Sequence, residues 1–459
     1  MGEKGAGIGR RQFLKQAGGA AAVLVGAPSL MQILQSCGGG TASQPSSAAT
    51  PNLAKGGSLH YLASQSFVAQ ADTKLQELMT RWASQHKGWT AVLDLVGLSD
   101  LQPKISAAVQ SSSGPDMIGM NFNWPWLYET ACTDVGTAVG RIQKRNGAFY
   151  DAIASYSRVN GTWRAIPFSY TANAWVYRND LWSQAGKPNF VTTYDDLLTS
   201  GKRVLAATST PLGVALGHAP GDAPTAWYPV MWAFGGQEVE KDGKTVALDS
   251  GATRKAVEWA VELWNGGVES HTVLSWDDSS NNRAWAAHQI SATLNGSSIY
   301  INSLPGRNNA DATLAKSTGA VTALAGPKAK SNLQSTGSVS VMKWSKNPGA
   351  AEDLVEYLMQ KDVYAEWLQA GGGYNSYPNA LLDSLPLWQK DPILKIYNES
   401  VKFSRWVGWP GPPNKAASRA ETAFIITDMF AKAVQSPNSV ASIIKDAAQQ
   451  LDSYYSRPS

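Results

Sequence analysis

The chain has 459 residues, enough for two or three domains with real cores, which excludes a disordered or miniature scaffold. Apolar residues make up 43% and charged residues 16%, too light a charge load for a solvated tail or a coiled coil. The net charge is +4, but no basic run exceeds Arg10-Arg11, so nucleic acid is excluded as a partner. Of that charge, residues 1–36 hold four basic residues against one acidic, which leaves +1 for the remainder. Two cysteines cannot build a disulfide framework, whereas 18 tryptophans call for a reason.

Residues 1–37 have a basic start, a weakly apolar middle from Ala17 to Leu34 and a small-residue end, the layout of an export signal. Gly18, Gly19, Gly26 and Pro28 make the middle a poor membrane span, so the segment reads as removable. The stretch Arg10-Arg11-Gln12-Phe13-Leu14-Lys15 resembles a twin-arginine signal. Leu34-Gln35-Ser36-Cys37 resembles the lipoprotein box, which implies lipidation of Cys37 and cleavage before it. Residues 38–56, rich in Gly, Ser, Thr and Pro, form a flexible tether by composition. The expected product is exported and faces the extracytoplasmic side, touching the membrane only through a lipid anchor. Cys132 reads as a small apolar core residue rather than a nucleophile.

Beyond the tether, Leu59–Ala63 is expected to form a strand, and Thr73 with Gln76 a capping box that opens a helix. That helix buries Leu75, Leu78, Met79, Trp82 and Ala83 on one face. A strand at 91–96, a helix opened by Ser99 and Gln102, and a strand at 116–120 follow. This alternation specifies a parallel sheet with helical crossovers. The apolar-aromatic stretch from Pro167 to Tyr177 has little helical period. Thr192 is expected to cap the next helix, and further helices are expected at 252–264 and from Asn347-Pro348 onward. No internal apolar run is long enough to cross a bilayer. The fold class is α/β.

Reaction motifs are absent: no G-x-x-x-x-G-K-[ST], H-E-x-x-H, C-x-x-C or G-x-S-x-G occurs, and the five histidines are scattered. The carboxylate pairs Asp195-Asp196 and Asp277-Asp278 are adjacent in sequence and so point apart. No catalytic residue, metal ligand or cofactor is expected.

Ordered landmarks nevertheless run along nearly the whole chain after the tether. They include Ser113-Gly114-Pro115-Asp116-Met117-Ile118, Gly161-Thr162-Trp163-Arg164-Ala165-Ile166-Pro167-Phe168, and Tyr177-Arg178-Asn179-Asp180-Leu181-Trp182 with Thr193-Tyr194-Asp195-Asp196. The stretch from Ala284 to Ser298 and the loop Gly371-Gly372-Gly373-Tyr374 with Pro378 complete the set. In this order and spacing they resemble the family 1 extracellular solute-binding proteins, the sugar-binding components of ABC importers. The resemblance implies a two-lobe, type II periplasmic-binding-protein-like fold with three hinge crossings. Lobe I would comprise residues 57–170 and 298–340, and lobe II residues 175–293 and 346–459. The crossings would fall near residues 169–173, 293–297 and 341–345. It also implies a monomeric receptor for a carbohydrate, with the membrane subunits of an ABC permease as partner and no catalysis.

A sugar presents apolar C–H faces ringed by hydroxyls, so its site needs aromatic platforms edged by Asn, Gln, Asp and Ser. Candidates from the residues are Ser64 and Gln65 at the end of the first strand, and Asn121, Trp124 and Trp126 after the third. Trp276-Asp277 and Trp406 stand in Pro-, Gly- and Ser-rich surroundings; Trp227 with Trp232 follows Gly217 to Pro224, where the resemblance implies an aromatic of the second lobe, although the two fit two faces of one buried helix equally well. Asn173, Asn295, Ser297, Gly373 and Tyr374 match crossing or cleft positions implied by the resemblance. Trp82, Trp259, Trp264 and Trp367 lie on apolar helix stripes and are expected in cores. Alternatives are the same fold holding a polyamine, oxyanion or peptide, a secreted carbohydrate-active enzyme, and an aromatic-rich adhesin.

Overall fold

The computed structural model describes residues 53–307 and 309–456. Arg10, Arg11, Cys37 and nearly all of the tether lie outside the described residues. The first expected strand spans Gly57–Ser64. It pairs in parallel with Trp89–Val96 on one side and with Met117–Asn121 on the other. Parallel neighbours cannot be joined by a hairpin, and helices Ala69–Gln85 and Leu98–Ser111 supply the crossovers. Ser335–Val341, antiparallel to Met117–Asn121, and then Ile166–Thr171 complete a five-stranded sheet.

Both crossover helices begin earlier than their expected capping boxes. Thr73 lies inside the first helix and turns its hydroxyl back to the carbonyl of Ala69 at 3.3 Å. Gln76 spans to the sheet instead. Its Nε2 donates to the Ala91 carbonyl (3.1 Å) and its Oε1 accepts from the Leu93 N–H (2.8 Å), covering the edge strand. The apolar stripe of this helix is buried as its period demands, with Leu75, Leu78, Met79, Trp82 and Ala83 all in the core beside the sheet.

The second sheet is smaller. Asn173–Arg178 lies at its centre, antiparallel to Ala292–Gly296 on one side and to Thr318–Val321 on the other. Helices Tyr194–Thr208, Asp222–Phe234, Gly251–Asn265, Ile425–Gln435 and Val440–Tyr455 build a separate apolar core around it. The helix at Tyr194 is capped one residue later than expected, by the Thr193 hydroxyl accepting from the Asp196 N–H at 3.1 Å.

The chain passes from the first sheet to the second at Ala172, between strands Ile166–Thr171 and Asn173–Arg178. After Gly296 it turns toward the first core, where Tyr300 and Ile301 are buried. A further passage lies at residues 332–335, and it is tied by amides. Asn332 Nδ2 donates to the carbonyls of Asn173 (2.6 Å) and Thr322 (3.1 Å), Asn173 Nδ2 donates to Leu333, and Gln334 Oε1 accepts from the Asn173 N–H at 2.7 Å. All these amides are buried, so the knot satisfies backbone groups that a chain leaving one sheet for another would otherwise orphan.

The expected lobe boundaries require correction: Tyr377, Leu382, Trp388 and Leu394, assigned above to lobe II, are buried in the first core, and Leu324 and Leu333, assigned above to lobe I, in the second. Helices Pro348–Leu358 and Lys361–Ala370, assigned above to lobe II, pack on the first core, because their apolar stripes meet that of Ala69–Gln85. Trp82 Nε1 donates to Asp353 and Trp367 Nε1 to the Ala71 carbonyl, which fixes both helices there. Residues 341–345 are therefore no crossing. Strand Thr318–Val321, assigned above to lobe I, belongs to the second sheet. Among the described residues no helix is long and apolar enough to cross a membrane.

Candidate functional site

A cavity of about 150 Å³ opens where the ends of the two sheets meet, far above the roughly 10–15 Å³ that one water needs. The first half contributes the carboxyl ends of its parallel strands, Ser64 to Phe67 and Asn121, with Thr171 and Ser335 to Ser338 beside them. This is where open α/β sheets place their ligands, because the strands end there and the loops diverge. The second half contributes Gly221 and Asp222 at the start of a helix, Asp278, and Asn295 and Gly296 at the end of a strand. The loop after Lys361–Ala370 adds Tyr374 and Asn375.

The walls alternate aromatic faces with polar groups. Phe67 and Tyr374 meet edge to face with ring centroids 6.3 Å apart, and Tyr61, Phe168 and Trp367 also line the space. Three carboxylates face it. Asp72 accepts the Ser66 N–H with both oxygens (3.1 and 3.0 Å), pinning the loop after the first strand. Burial pushes it up to about 6 against that hydrogen bond. Asp278 Oδ1 accepts the N–H groups of Gly221 (2.9 Å) and Asp222 (2.8 Å) and so caps a helix from another segment. Its Oδ2 is buried without a partner, and burial raises the group to about 6. Asp222 accepts from Asn281 Nδ2 at 2.6 Å. Burial, and then the charge of Asp278, push it well above the usual carboxylate range.

Of the sequence candidates, Ser64, Gln65, Asn121, Asn173, Asn295 and Tyr374 line this cavity. Asp277 stands at an adjoining opening that shares Gln65, Ser66, Phe67 and Asp278 with it. Burial works against the Asp277 charge, but the Ser280 and Ser279 hydroxyls, the Ser279 N–H and Arg283 hold it down at about 2. Asn295 is committed to structure as well, donating to Asn282 Oδ1 and accepting from the Gly296 N–H.

The remaining candidates do not reach the cavity. Trp124 packs with Ile118, Met120 and Cys132 behind the third strand, and Trp126 is buried beside it with Nε1 on the Ser155 carbonyl. Trp227 and Trp232 belong to the second core. Their helix, Asp222–Phe234, is buried on every side after its first residue, so no face is left for a ligand. Trp276 donates to Thr272 and packs half-buried on the second core, and Trp406 is half-buried with Nε1 on the Gly411 carbonyl. Ser297 donates to the Gly373 carbonyl at 3.2 Å, and Gly373 sits at φ +81° against the Trp388 ring. These two residues hold the Tyr374 loop rather than a ligand.

Sequence reasoning missed Asp72, Asp222, Ser66 and Phe67, and it placed Trp367 in a core. Trp367 is 7% exposed, yet it lines the cavity, because a helix that closes a core can end at a cleft. Asp222 follows Gly221 at a helix start, where its residue type reads as an ordinary first-turn acid. Asp278 was visible only as one of an adjacent pair. Cys132 is fully buried, and burial pushes its thiol up to about 11, consistent with a packing role. Among the described residues no group of three or more His, Cys, Asp or Glu is placed to hold a metal ion.

Comparison with known proteins adds the following. The model of the bacterial extracellular solute-binding protein family matches residues 77–396. A protein of Brucella abortus (strain 2308), whose name calls it a binding protein, is 21% identical over 84% of this chain and 86% of its own length. The maltose-bound protein MalE3 of T. maritima is 17% identical with a TM-score of 0.73, covering 86% of this chain and 98% of that one. A sugar transporter from Arthrobacter chlorophenolicus A6 with bound laminaribiose gives 17% and 0.73, over 86% and 99%. An ABC transporter solute-binding protein of Thermotoga lettingae TMO with bound α-D-tagatose gives 17% and 0.74, over 87% and 99%. The chain therefore shares the fold of these sugar-binding proteins.

Proposed function

Because the chain belongs to the bacterial extracellular solute-binding protein family, we propose that it is a receptor that captures a carbohydrate between its two halves and delivers it to an ABC permease. The observation that carries this reading is the composition of the cavity. Aromatic faces from Phe67, Tyr374 and Trp367 stand among Ser, Asn and Gln side chains, the pairing that the C–H faces and hydroxyls of a sugar require. The two halves act as the lobes of a hinged trap that turns at Ala172, at Gly296–Ser297 and at the amide knot of residues 332–334. Each half presents part of the site, so ligand favours the closed state by contacts the open state cannot make. No cofactor or chemical step is part of this role. The twin-arginine pair Arg10-Arg11 and a lipid on Cys37 would export the monomer and hold it at the membrane surface, within reach of its permease.

A panel of mono- and oligosaccharides tested by thermal shift checks the proposal. At least one sugar is expected to raise the melting temperature progressively with concentration, as ligand binding to the folded state requires. If no sugar does so while a peptide or an oxyanion does, the fold stands and the substrate class is wrong. Release of reducing ends from an oligosaccharide, abolished by changing one cavity carboxylate, would instead establish an enzyme.

A further inference from the structure

Resting on that reading, we propose that the sugar taken by this cleft bears a protonated amine, seated between Asp72 of the first half and Asp222 and Asp278 of the second. Three carboxylates line the cavity, yet no Lys, Arg or His lines it or the adjoining opening. The fourth acid of the region, Asp277, has its cation in Arg283 at 3.1 Å. Among the described residues, Asp72, Asp222 and Asp278 make no ion pair. Their hydrogen bonds come from the Ser66 N–H, from Asn281, and from the Gly221 and Asp222 N–H groups. The helix start answers part of the charge on Asp278 Oδ1. Asp278 Oδ2 has no partner, although the residue is 6% exposed.

The three acids act on one space. The Tyr374 phenol is pushed above its ordinary value by burial first, and then by the charges of Asp222, Asp278 and Asp72. A neutral sugar can donate hydroxyls to carboxylates, but closing the cleft over it takes these acids further from water and supplies nothing of opposite sign that would favour their ionised forms. An ammonium supplies both charge and donors, and its hydrogen bonds to carboxylates are of the strong, charge-assisted kind. The acids also come from both halves. A cation seated there would draw on acids from each half, so charge recognition and closure are coupled.

The test is calorimetric titration of the full chain with matched pairs: glucosamine against glucose, the glucosamine disaccharide against cellobiose, and the N-acetylated forms, in which the charge is removed. Putrescine serves as an amine without a sugar. The amine-bearing sugar of a pair is expected to bind at least about tenfold more tightly than both neutral forms, the effect of one hydrogen bond to a charged group. In Asp222→Asn and, independently, Asp72→Asn that ratio is expected to shrink toward one. The melting temperature of the unliganded variants reports whether they fold. Neutral sugars binding as tightly as their amine counterparts would overturn this inference and leave the sugar-receptor reading intact. Stabilisation by putrescine with no response to any sugar would overturn the sugar reading, and this inference with it.

Discussion

Glu269 lies in the interior of the second half, 2% exposed. Its Oε1 accepts the N–H groups of Val214 (2.9 Å) and Ser270 (3.2 Å), and its Oε2 has no partner. Burial pushes the carboxyl up from 4.5 to about 8, against those two hydrogen bonds. A group raised in the folded state gives its full stabilising contribution below the unfolded value. That contribution is lost as pH rises, until the folded group has also released its proton near pH 8. Each pH unit between the two values withdraws about 1.4 kcal/mol, so this residue costs the fold about 2–3 kcal/mol between pH 5 and pH 7. Glu269→Gln keeps the accepting oxygen and removes the titration. Its amide NH2 replaces the unpartnered oxygen and imposes a constant penalty of about 1–3 kcal/mol at every pH. Urea unfolding of both proteins from pH 5 to pH 8 is the assay. The variant is expected to be the less stable at pH 5 and to gain on the wild type by that 2–3 kcal/mol by pH 7. Two stability curves that run parallel across the range would refute the reasoning.

Trp227→Ala removes a ring packed on Phe430, with Nε1 on the Ala215 carbonyl. It is expected to cost about 3–5 kcal/mol in denaturant unfolding while leaving the affinity for any bound sugar within about threefold; a large loss of affinity in a folded variant would return this ring to the site. Asn332→Ala leaves the Asn173 and Thr322 carbonyls and the Leu333 N–H without their side-chain partner. A loss of at least about 2 kcal/mol in chemical denaturation is expected, and a neutral substitution would show that the knot is not needed at the passage. Cys132 is expected to resist an aromatic disulfide reagent at pH 8 until denaturant is added, and its prompt labelling in the native protein would contradict its place in the core.

The parallel half of the first sheet is legible in the sequence because three apolar runs alternate with helix-period stripes, and burial acts on those periods directly. Helix starts are less so. Thr73-x-x-Gln76 has the composition of a cap, but a glutamine that can reach an edge strand serves a tertiary partner that no local pattern records. The placement of 348–370 is invisible for a similar reason, since an apolar stripe does not state which core it enters. At the site, the polar ends of strands are readable: Ser64, Gln65 and Asn121 stand where the alternation stops. The tryptophans are not. Trp124 and Trp126 stand in a polar, proline-broken stretch like a binding loop, yet the short turn Trp124–Leu127 folds them back under the strand. Asp72, Asp222 and Asp278 come from three segments and become one feature only when the fold assembles them.

The central claim is that a sugar closes the two halves upon each other. Small-angle scattering of the chain with and without a sugar that raises its melting temperature tests this directly. The account predicts a smaller radius of gyration at saturating sugar, following the same concentration dependence as the thermal shift. Saturable binding with an unchanged radius would contradict it.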